Sequence, residues 1–109
     1  MPLFEFIETR SFTRSLGAYL DDEQYARLQN ELNSRPNAGN VVPGSGGVRK
    51  LRWGVAGRGK RGGLRVVYYF ESAVGQIWML ALYAKNVHAN IPSHVLNELR
   101  KEFESAQND

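Results

Sequence analysis

The sequence predicts one α+β domain over residues 1–109. Segments near both ends space their apolar residues as amphipathic helices do. Several other segments alternate apolar and polar residues, or are dense in β-branched and aromatic side chains, as strands are. The 109 residues, 42% of them hydrophobic, are enough for one core without stabilising cross-links. No internal repeat or domain linker divides the chain.

The composition excludes several classes of protein. The chain has no cysteine, which excludes a disulfide framework, thiol chemistry and a cysteine-based zinc site. No apolar run approaches the ~18 residues that a transmembrane helix needs. The first residues have no basic region ahead of a hydrophobic one, as a secretory signal would. We therefore expect a cytoplasmic protein with no membrane contact.

A strand and a short helix are predicted first. Leu3–Glu8 contains alternating, aromatic and β-branched residues, which favours a strand. Thr9 or Ser11 can serve as the N-cap of the helix that follows. The buried face of this helix has apolar residues at helical spacing, namely Phe12, Leu16, Tyr19 and Leu20.

The second predicted helix begins after Asp21. Asp21 can cap it, and Gln24 can complete a pair of the capping-box type. The acidic residues of its first turn suit the positive end of the helix dipole. Pro36 requires the helix to end by Asn33 or Ser34. Its buried stripe consists of Tyr25, Leu28 and Leu32.

Three more strands and a last helix complete the prediction. Residues 36–47 are rich in glycine, proline and asparagine and are predicted to form a loop. The strands are Val48–Trp53, Leu64–Glu71 and Gln76–Tyr83, with a turn at Ser72–Gly75 between the last two. The run Gln76–Tyr83 is apolar on both faces, so we expect it to be central in the sheet and covered on both sides.

The last helix is predicted to be capped by Asn90 or Ser93. The final residues, Ser105–Asp109, are expected to fray. The inward face of the helix consists of Val95, Leu96, Leu99 and Phe103.

The basic residues are concentrated in the middle of the chain. The net charge is +3, yet residues 32–70 hold eight lysines and arginines and no acidic residue, whereas the remainder holds six basic and eleven acidic residues. This asymmetry favours a polyanionic partner, nucleic acid first. The alternative is a solvated basic loop that serves solubility. Alternation on the second strand places Lys50 and Arg52 on the face opposite to Leu51 and Trp53.

A glycine-rich basic loop, Gly54–Gly63, contains two motifs that resemble cofactor sites. Gly57–Gly62 matches G-x-G-x-x-G, and Gly54–Lys60 resembles a P-loop. A strand follows where either motif requires a helix, and Arg61 stands where serine or threonine must hold magnesium. We therefore predict no nucleotide cofactor.

The same loop can hold phosphate directly. Its glycines allow close backbone approach, and we expect the loop to be mobile in the free protein. Its cations are Arg58, Lys60 and Arg61, and the flanking strands supply Arg52 and Arg65 from a more rigid platform. Aromatic residues interleave with these charges and could stack on bases, although core packing is favoured for each of them: Trp53, Tyr68, Tyr69 and Tyr83.

Conventional catalytic groups are scarce. The two histidines are His88, which follows the last strand and could face a cleft, and His94, which we expect to face solvent in the last helix. No histidine spacing indicates a metal site. The acidic residues lie away from the basic segment, which disfavours paired-carboxylate hydrolysis. No serine lies in a nucleophile elbow.

Three runs of sequence together resemble one family. They are Gly46–Arg52, Gly57–Phe70 and Leu80–Asn86, which combine as G-G-x-R-K-x-R, G-K-R-G-G-x-R-x-x-Y-Y and Y-x-K-N. The combination closely resembles the HigB branch of the RelE toxins, in the RelE/ParE superfamily of type II toxin–antitoxin systems. The resemblance implies a RelE-like fold: a small antiparallel sheet of about four strands, two N-terminal helices and one C-terminal helix.

The resemblance also implies an activity. Toxins of this family are endoribonucleases that enter the ribosomal A site and cut mRNA during translation, without a metal or another cofactor. The ribose 2′-OH attacks the adjacent phosphate and expels the 5′-oxygen, while basic side chains position the phosphate and stabilise its additional charge.

The resemblance assigns roles to single residues. The catalytic candidates are Lys60, Arg58, Arg65 and Lys85, with Lys60 as the general base or its electrostatic substitute and Arg65 on the scissile phosphate. The RNA-binding candidates are Lys50, Arg52, Arg61, Tyr83 and Asn86. Asn86 stands where RelE has arginine, and Pro92 falls near the place of a RelE tyrosine. Protonation of the leaving group is therefore unassigned, with Tyr83 or His88 as possible acids.

A partner follows from the resemblance as well. Toxins of this branch pair with a HigA-like antitoxin that carries a helix-turn-helix. Two other functions stay open. One is a ParE-like toxin that acts on DNA gyrase and cuts no RNA, and the other is an RNA-binding module without catalysis.

Overall fold

The structure, a computed structural model, describes residues 3–54, 63–85 and 90–108. Within these ranges, three helices pack against a five-stranded sheet with the strand order β1-β5-β4-β3-β2. The elements, in chain order, are β1 (Glu5–Glu8), α1 (Arg10–Tyr19), α2 (Asp22–Ser34), β2 (Asn40–Val41), β3 (Arg49–Trp53), β4 (Leu64–Glu71), β5 (Gln76–Ala84) and α3 (Ser93–Asn108). None of these three helices is long and apolar enough to cross a membrane.

The α+β prediction is confirmed, but the sheet differs from the expected one. A fifth strand, β2, lies inside the segment 36–47 predicted as a loop and pairs Asn40 with Lys50 and Val41 with Arg49. The first strand is shorter than Leu3–Glu8 and pairs in parallel with β5, so the sheet is mixed rather than antiparallel. A two-residue strand carries no alternation pattern, and alternation does not specify the direction of a neighbouring strand.

The sheet separates two hydrophobic clusters. The front face, as we call it, is covered by α1 and α2, whose Phe12 and Leu28 are fully buried against it. The back face is covered by α3, whose Leu96 is fully buried. As predicted, Leu51 and Trp53 share a face, and the structure shows that it is the front face. Also as predicted, β5 is internal, between β1 and β4, and both of its faces are buried.

The first two helices begin as the sequence predicts. The Thr9 side chain accepts a hydrogen bond from the Phe12 amide, which caps α1. Asp21 and Gln24 form a reciprocal capping box at the start of α2, with both hydrogen bonds present. The predicted end of α2 at Ser34, before Pro36, is also confirmed.

Two expectations for the last helix, its cap at Asn90 and the fraying of its end, are wrong. It begins after Pro92, whose carbonyl accepts from the Val95 and Leu96 amides. Asn90 does not act as the expected cap, because its Oδ1 accepts from Lys50 Nζ at 3.1 Å. The expected fraying is wrong over residues 105–108, which are helical. Packing of Phe103 edge-on against Trp78, with ring centroids 5.5 Å apart, holds this end of the helix on the sheet.

A β-bulge in β5 changes which face its later residues present. Val67 pairs with Ala81, but Tyr68 pairs with Met79, so Leu80 is an additional residue on β5. After the bulge, Leu82 joins the front cluster and Tyr83 joins the back cluster. If the residues of β5 alternated strictly from Met79 onward, Tyr83 would lie on the front face.

Replacing Tyr68 by phenylalanine is expected to lower the free energy of unfolding by about 1–3 kcal/mol. The fully buried Tyr68 accepts a hydrogen bond from the Gly39 amide at 2.9 Å and donates one to the Pro36 carbonyl at 2.8 Å. Removal of the hydroxyl leaves both backbone groups unpaired. Urea unfolding measures the loss, with Tyr69→Phe as the control. The Tyr69 hydroxyl makes no hydrogen bond within the described ranges. Equal effects of the two substitutions would contradict this account.

Candidate functional site

The register of the sheet brings three predicted site residues into one row. Arg52 of β3 pairs with Arg65 of β4, and Arg65 pairs with Tyr83 of β5. Paired residues share a face, so the three side chains lie side by side on the back face. Lys50 lies two residues before Arg52 on the same face. Its hydrogen bond to Asn90 ties β3 to the segment that leads into α3.

Arg65 is a nearly buried cation. The residue is 9% exposed, and its Nη1 donates to the Leu64 carbonyl at 3.4 Å. No ion pair of the described part of the chain involves Arg65 or Arg52, because all three join residues within α2, its C-cap or α3. Burying an unpaired cation costs free energy. Such an arrangement is therefore typical of a cation that binds an anionic ligand.

A pocket of about 410 Å³ opens beside the two arginines. Arg52, Trp53, Gly54, Gly63 and Arg65 line it. Gly54 is exposed, and a Cβ atom built there would meet nothing within 4 Å. The pocket therefore combines two guanidinium groups with an open backbone edge, an arrangement that suits a phosphate group carrying a sugar.

The predicted basic loop begins and ends at this pocket. Gly54 and Gly63, its first and last residues, both line the pocket. The loop residues predicted for catalysis or RNA binding, and the expected mobility of the loop, lie outside the described residues. So do two candidates that follow β5. These five are Arg58, Lys60, Arg61, Asn86 and His88.

Lys85 lies near the same pocket. Its amide donates to the carbonyl of Gly63 at 3.4 Å, which places the start of the segment after β5 against the end of the basic loop. The residue is exposed. His94 is exposed in the first turn of α3, as expected.

Tyr83 is buried beside Arg65 and is only 5% exposed. Burial raises the pKa of its phenol, and the positive charge of Arg65 acts in the opposite direction without cancelling the effect. The phenol is therefore protonated at neutral pH. A ring this deeply buried presents little surface on which a base could stack.

Sequence reasoning missed Asn90 as the partner of Lys50. The two residues are 40 positions apart, and the local pattern at Asn90 indicated only a helix cap. It also missed the contribution of Gly54 and Gly63 as pocket walls, since nothing local distinguishes them from the other glycines of the loop. Within the described ranges, no group of three or more metal-ligating side chains comes together.

Comparison with solved structures identifies the architecture. Over 91% of this chain and 98% of the other, the structure is similar to that of an arginine double mutant of E. coli toxin RelE in the free state, with a TM-score of 0.62 and 13% identity. This protein has the RelE-like fold. The toxin–antitoxin complex RelBE2 from Mycobacterium tuberculosis is also similar, with a TM-score of 0.56 and 16% identity, over 76% of this chain and 99% of that one.

The comparison confirms the predicted RelE-like fold, apart from the strand count and the parallel β1 described above. The sequence itself matches no family model. In this RelE-like fold the two arginines, the pocket and both ends of the basic loop lie at one end of the β3–β4 hairpin.

Proposed function

We propose that the protein is the toxin of a type II toxin–antitoxin system, of the HigB-like branch, and that it is an endoribonuclease that cleaves mRNA in the ribosomal A site. The observation that carries the proposal is the nearly buried Arg65, which stands beside Arg52 in an open pocket and has no acidic partner among the described residues. The RelE-like fold and the basic sequence motifs support the same conclusion.

The pocket supports cleavage by the neighbouring ribose. The 2′-oxygen loses its proton and forms a bond to phosphorus, the bond between phosphorus and the 5′-oxygen breaks, and the 5′-oxygen takes up a proton. Arg65 and Arg52 hold the non-bridging oxygens and stabilise the additional negative charge of the phosphorane. A planar guanidinium can donate two hydrogen bonds to such a group at once.

We assign the remaining catalytic and RNA-binding roles to residues that the sequence analysis selected. Lys60 takes the 2′ proton or replaces a base electrostatically, and Arg58 and Lys85 add positive charge at the phosphate. Lys50, Arg61 and Asn86 bind the flanking RNA. Tyr83 holds its proton at neutral pH, but its burial disfavours direct transfer, so His88 is the better candidate for the acid.

Two partners belong to this proposal. The first is the translating ribosome with its mRNA, in the cytoplasm. The second is an antitoxin, which we propose to be a HigA-like protein with a helix-turn-helix. One structural neighbour was solved as a toxin–antitoxin complex, which supports the presence of such a partner.

Induced expression in a bacterial host tests the proposal. The unaltered protein is expected to arrest growth, and Lys60→Ala combined with Arg65→Ala is expected to abolish the arrest while circular dichroism shows the fold intact. Full arrest by the double variant would contradict nuclease action. DNA supercoiling is measured in the same cultures. Its loss on induction would favour a gyrase-directed toxin, whereas unchanged supercoiling is expected here.

A further inference from the structure

We infer that Trp53 is the residue on which a nucleobase stacks when the neighbouring phosphate binds Arg65 and Arg52 in the pocket. The inference rests on the proposed function, which makes RNA the ligand of the pocket. It adds a base-binding wall to a site whose cations alone would accept any phosphate compound.

Three of the four aromatic candidates for base stacking pack within the protein instead. Tyr68 is fully buried, and Tyr83 is only 5% exposed. The ring of Tyr69 packs against that of Trp78, with centroids 5.2 Å apart, and the guanidinium of Arg100 lies 5.4 Å from its centroid. None of the three candidates lines the pocket. A base that enters the pocket therefore meets none of these three rings.

The fourth candidate, Trp53, differs from the other tryptophan of the chain. Trp78 is 3% exposed, its indole N–H donates to Gln76 Oε1 at 3.0 Å, and its ring contacts two other aromatic rings. Trp53 is only partly buried, and within the described ranges its indole makes no hydrogen bond and no contact with another aromatic ring. A buried tryptophan usually has a partner for its N–H. Trp53 therefore has a ring and a donor that nothing in the described part of the chain uses.

The end of the β3–β4 hairpin brings this indole to the same pocket as the cations. Trp53 is the last residue of β3 and belongs to the front face, whereas Arg52 and Arg65 belong to the back face. All three line the pocket, which therefore extends around the end of the hairpin from one face to the other. Gly54 and Gly63 line it as well and add no side chain that would fill it. A nucleotide can place its phosphate on the guanidinium side and its base on the indole side.

The size and chemistry of the pocket suit this arrangement. Its volume of about 410 Å³ lies in the range of sites that enclose a small molecule, roughly 300–1,000 Å³. Every base has a π face, so an aromatic platform adds affinity for all four bases without reading their hydrogen-bonding edges. Trp53 therefore favours nucleotides over other phosphate compounds and fixes the base that adjoins the bound phosphate.

The binding of two non-cleavable probes tests the inference in the unaltered protein. One probe is a single-stranded adenine trinucleotide with 2′-O-methyl riboses, which lacks the attacking hydroxyl, and the other is the same backbone without bases. We expect the adenine probe to quench tryptophan fluorescence. We also expect it to bind about 10-fold more tightly than the abasic probe, a ratio that corresponds to about 1.4 kcal/mol and is typical of one base–aromatic stack.

Trp53→Leu keeps an apolar side chain on the front cluster and removes the π face. We expect it to bind the adenine probe about 10-fold more weakly and the abasic probe as before. We expect no quenching in this variant, because Trp78 is then the only tryptophan and does not line the pocket. Trp53→Phe, which retains a smaller aromatic face, is expected to recover most of the affinity. Arg65→Ala is expected to weaken the binding of both probes alike, because it removes a contact with the phosphate.

Leu51→Ala is the matched control. Leu51 shares the front face of β3 with Trp53 and packs against the same cluster, but it does not line the pocket. Its substitution is expected to lower the free energy of unfolding without changing the affinity for either probe.

Three results would overturn the inference: equal binding of the two probes to the unaltered protein, binding of neither probe, or equal weakening of both by Trp53→Leu. The first two concern the unaltered protein, so the test stands even where a variant fails to fold. Base-dependent binding through Trp53 in a protein that cleaves no mRNA on ribosomes would overturn the proposed nuclease and leave the stacking site standing.

Discussion

Arg65→Ala is expected to reduce the rate of mRNA cleavage by about 10²–10³-fold, the usual effect of removing one donor that stabilises a developing oxyanion. Arg65 is the more deeply buried of the two arginines that line the pocket. Arg65→Lys is expected to restore only part of the rate, because an ammonium group lacks the planar pair of donors. Single-turnover cleavage on stalled ribosomes measures the effect.

The expected effect of Arg65→Ala on stability distinguishes a loss of catalysis from a loss of the fold. A nearly buried cation without an acidic partner among the described residues destabilises the free protein, so Arg65→Ala should leave the free energy of unfolding unchanged or raise it. Arg27→Ala, on the exposed surface of α2, is the control and should affect neither property. Retained cleavage in Arg65→Ala, or its loss through unfolding, would contradict the role of Arg65.

Gly46→Ala is expected to lower the free energy of unfolding by about 2–4 kcal/mol, since it combines a strained backbone with steric overlap. Gly46 has φ of +77°. A Cβ atom there would lie 2.6 Å from Asn97 Oδ1 and 2.9 Å from Arg100 Nε. Both side chains belong to α3, so alanine at this position requires them to move from their places against the loop. Urea unfolding measures the loss.

Gly17→Ala is the matched control for this prediction. Gly17 lies within α1, where an added Cβ would meet nothing within 4 Å. Alanine forms helices more readily than glycine, so this variant is expected to be more stable by up to about 1 kcal/mol. Destabilisation of similar size at both glycines would refute the claim that the close approach of α3 determines the effect at Gly46.

The helices of this fold could be predicted because their signals are local. The capping box of Asp21 and Gln24 and the stop before Pro36 each involve residues a few positions apart. The end of α3 could not be predicted this way. It is held by the contact of Phe103 with Trp78, which come from distant parts of the chain.

For the sheet and the site as well, local features could be predicted and features that depend on distant residues could not. Charge and motif indicated Arg52 and Arg65, and the strands that carry them were predicted correctly. Their alignment with Tyr83 depends on one additional residue in β5, which alternation cannot reveal in a run that is apolar on both faces. The pairing of Lys50 with Asn90 likewise depends on tertiary structure alone.

Mapping of mRNA 5′ ends in a cell-free translation reaction tests the central claim most directly. The reaction is run with and without the purified protein, and in parallel with the same mRNA in the absence of ribosomes. We predict new 5′ ends inside translated codons only when both the protein and ribosomes are present, and their loss with Arg65→Ala. No new ends while translation continues, or equal cutting of ribosome-free mRNA, would contradict a nuclease that acts in the ribosomal A site.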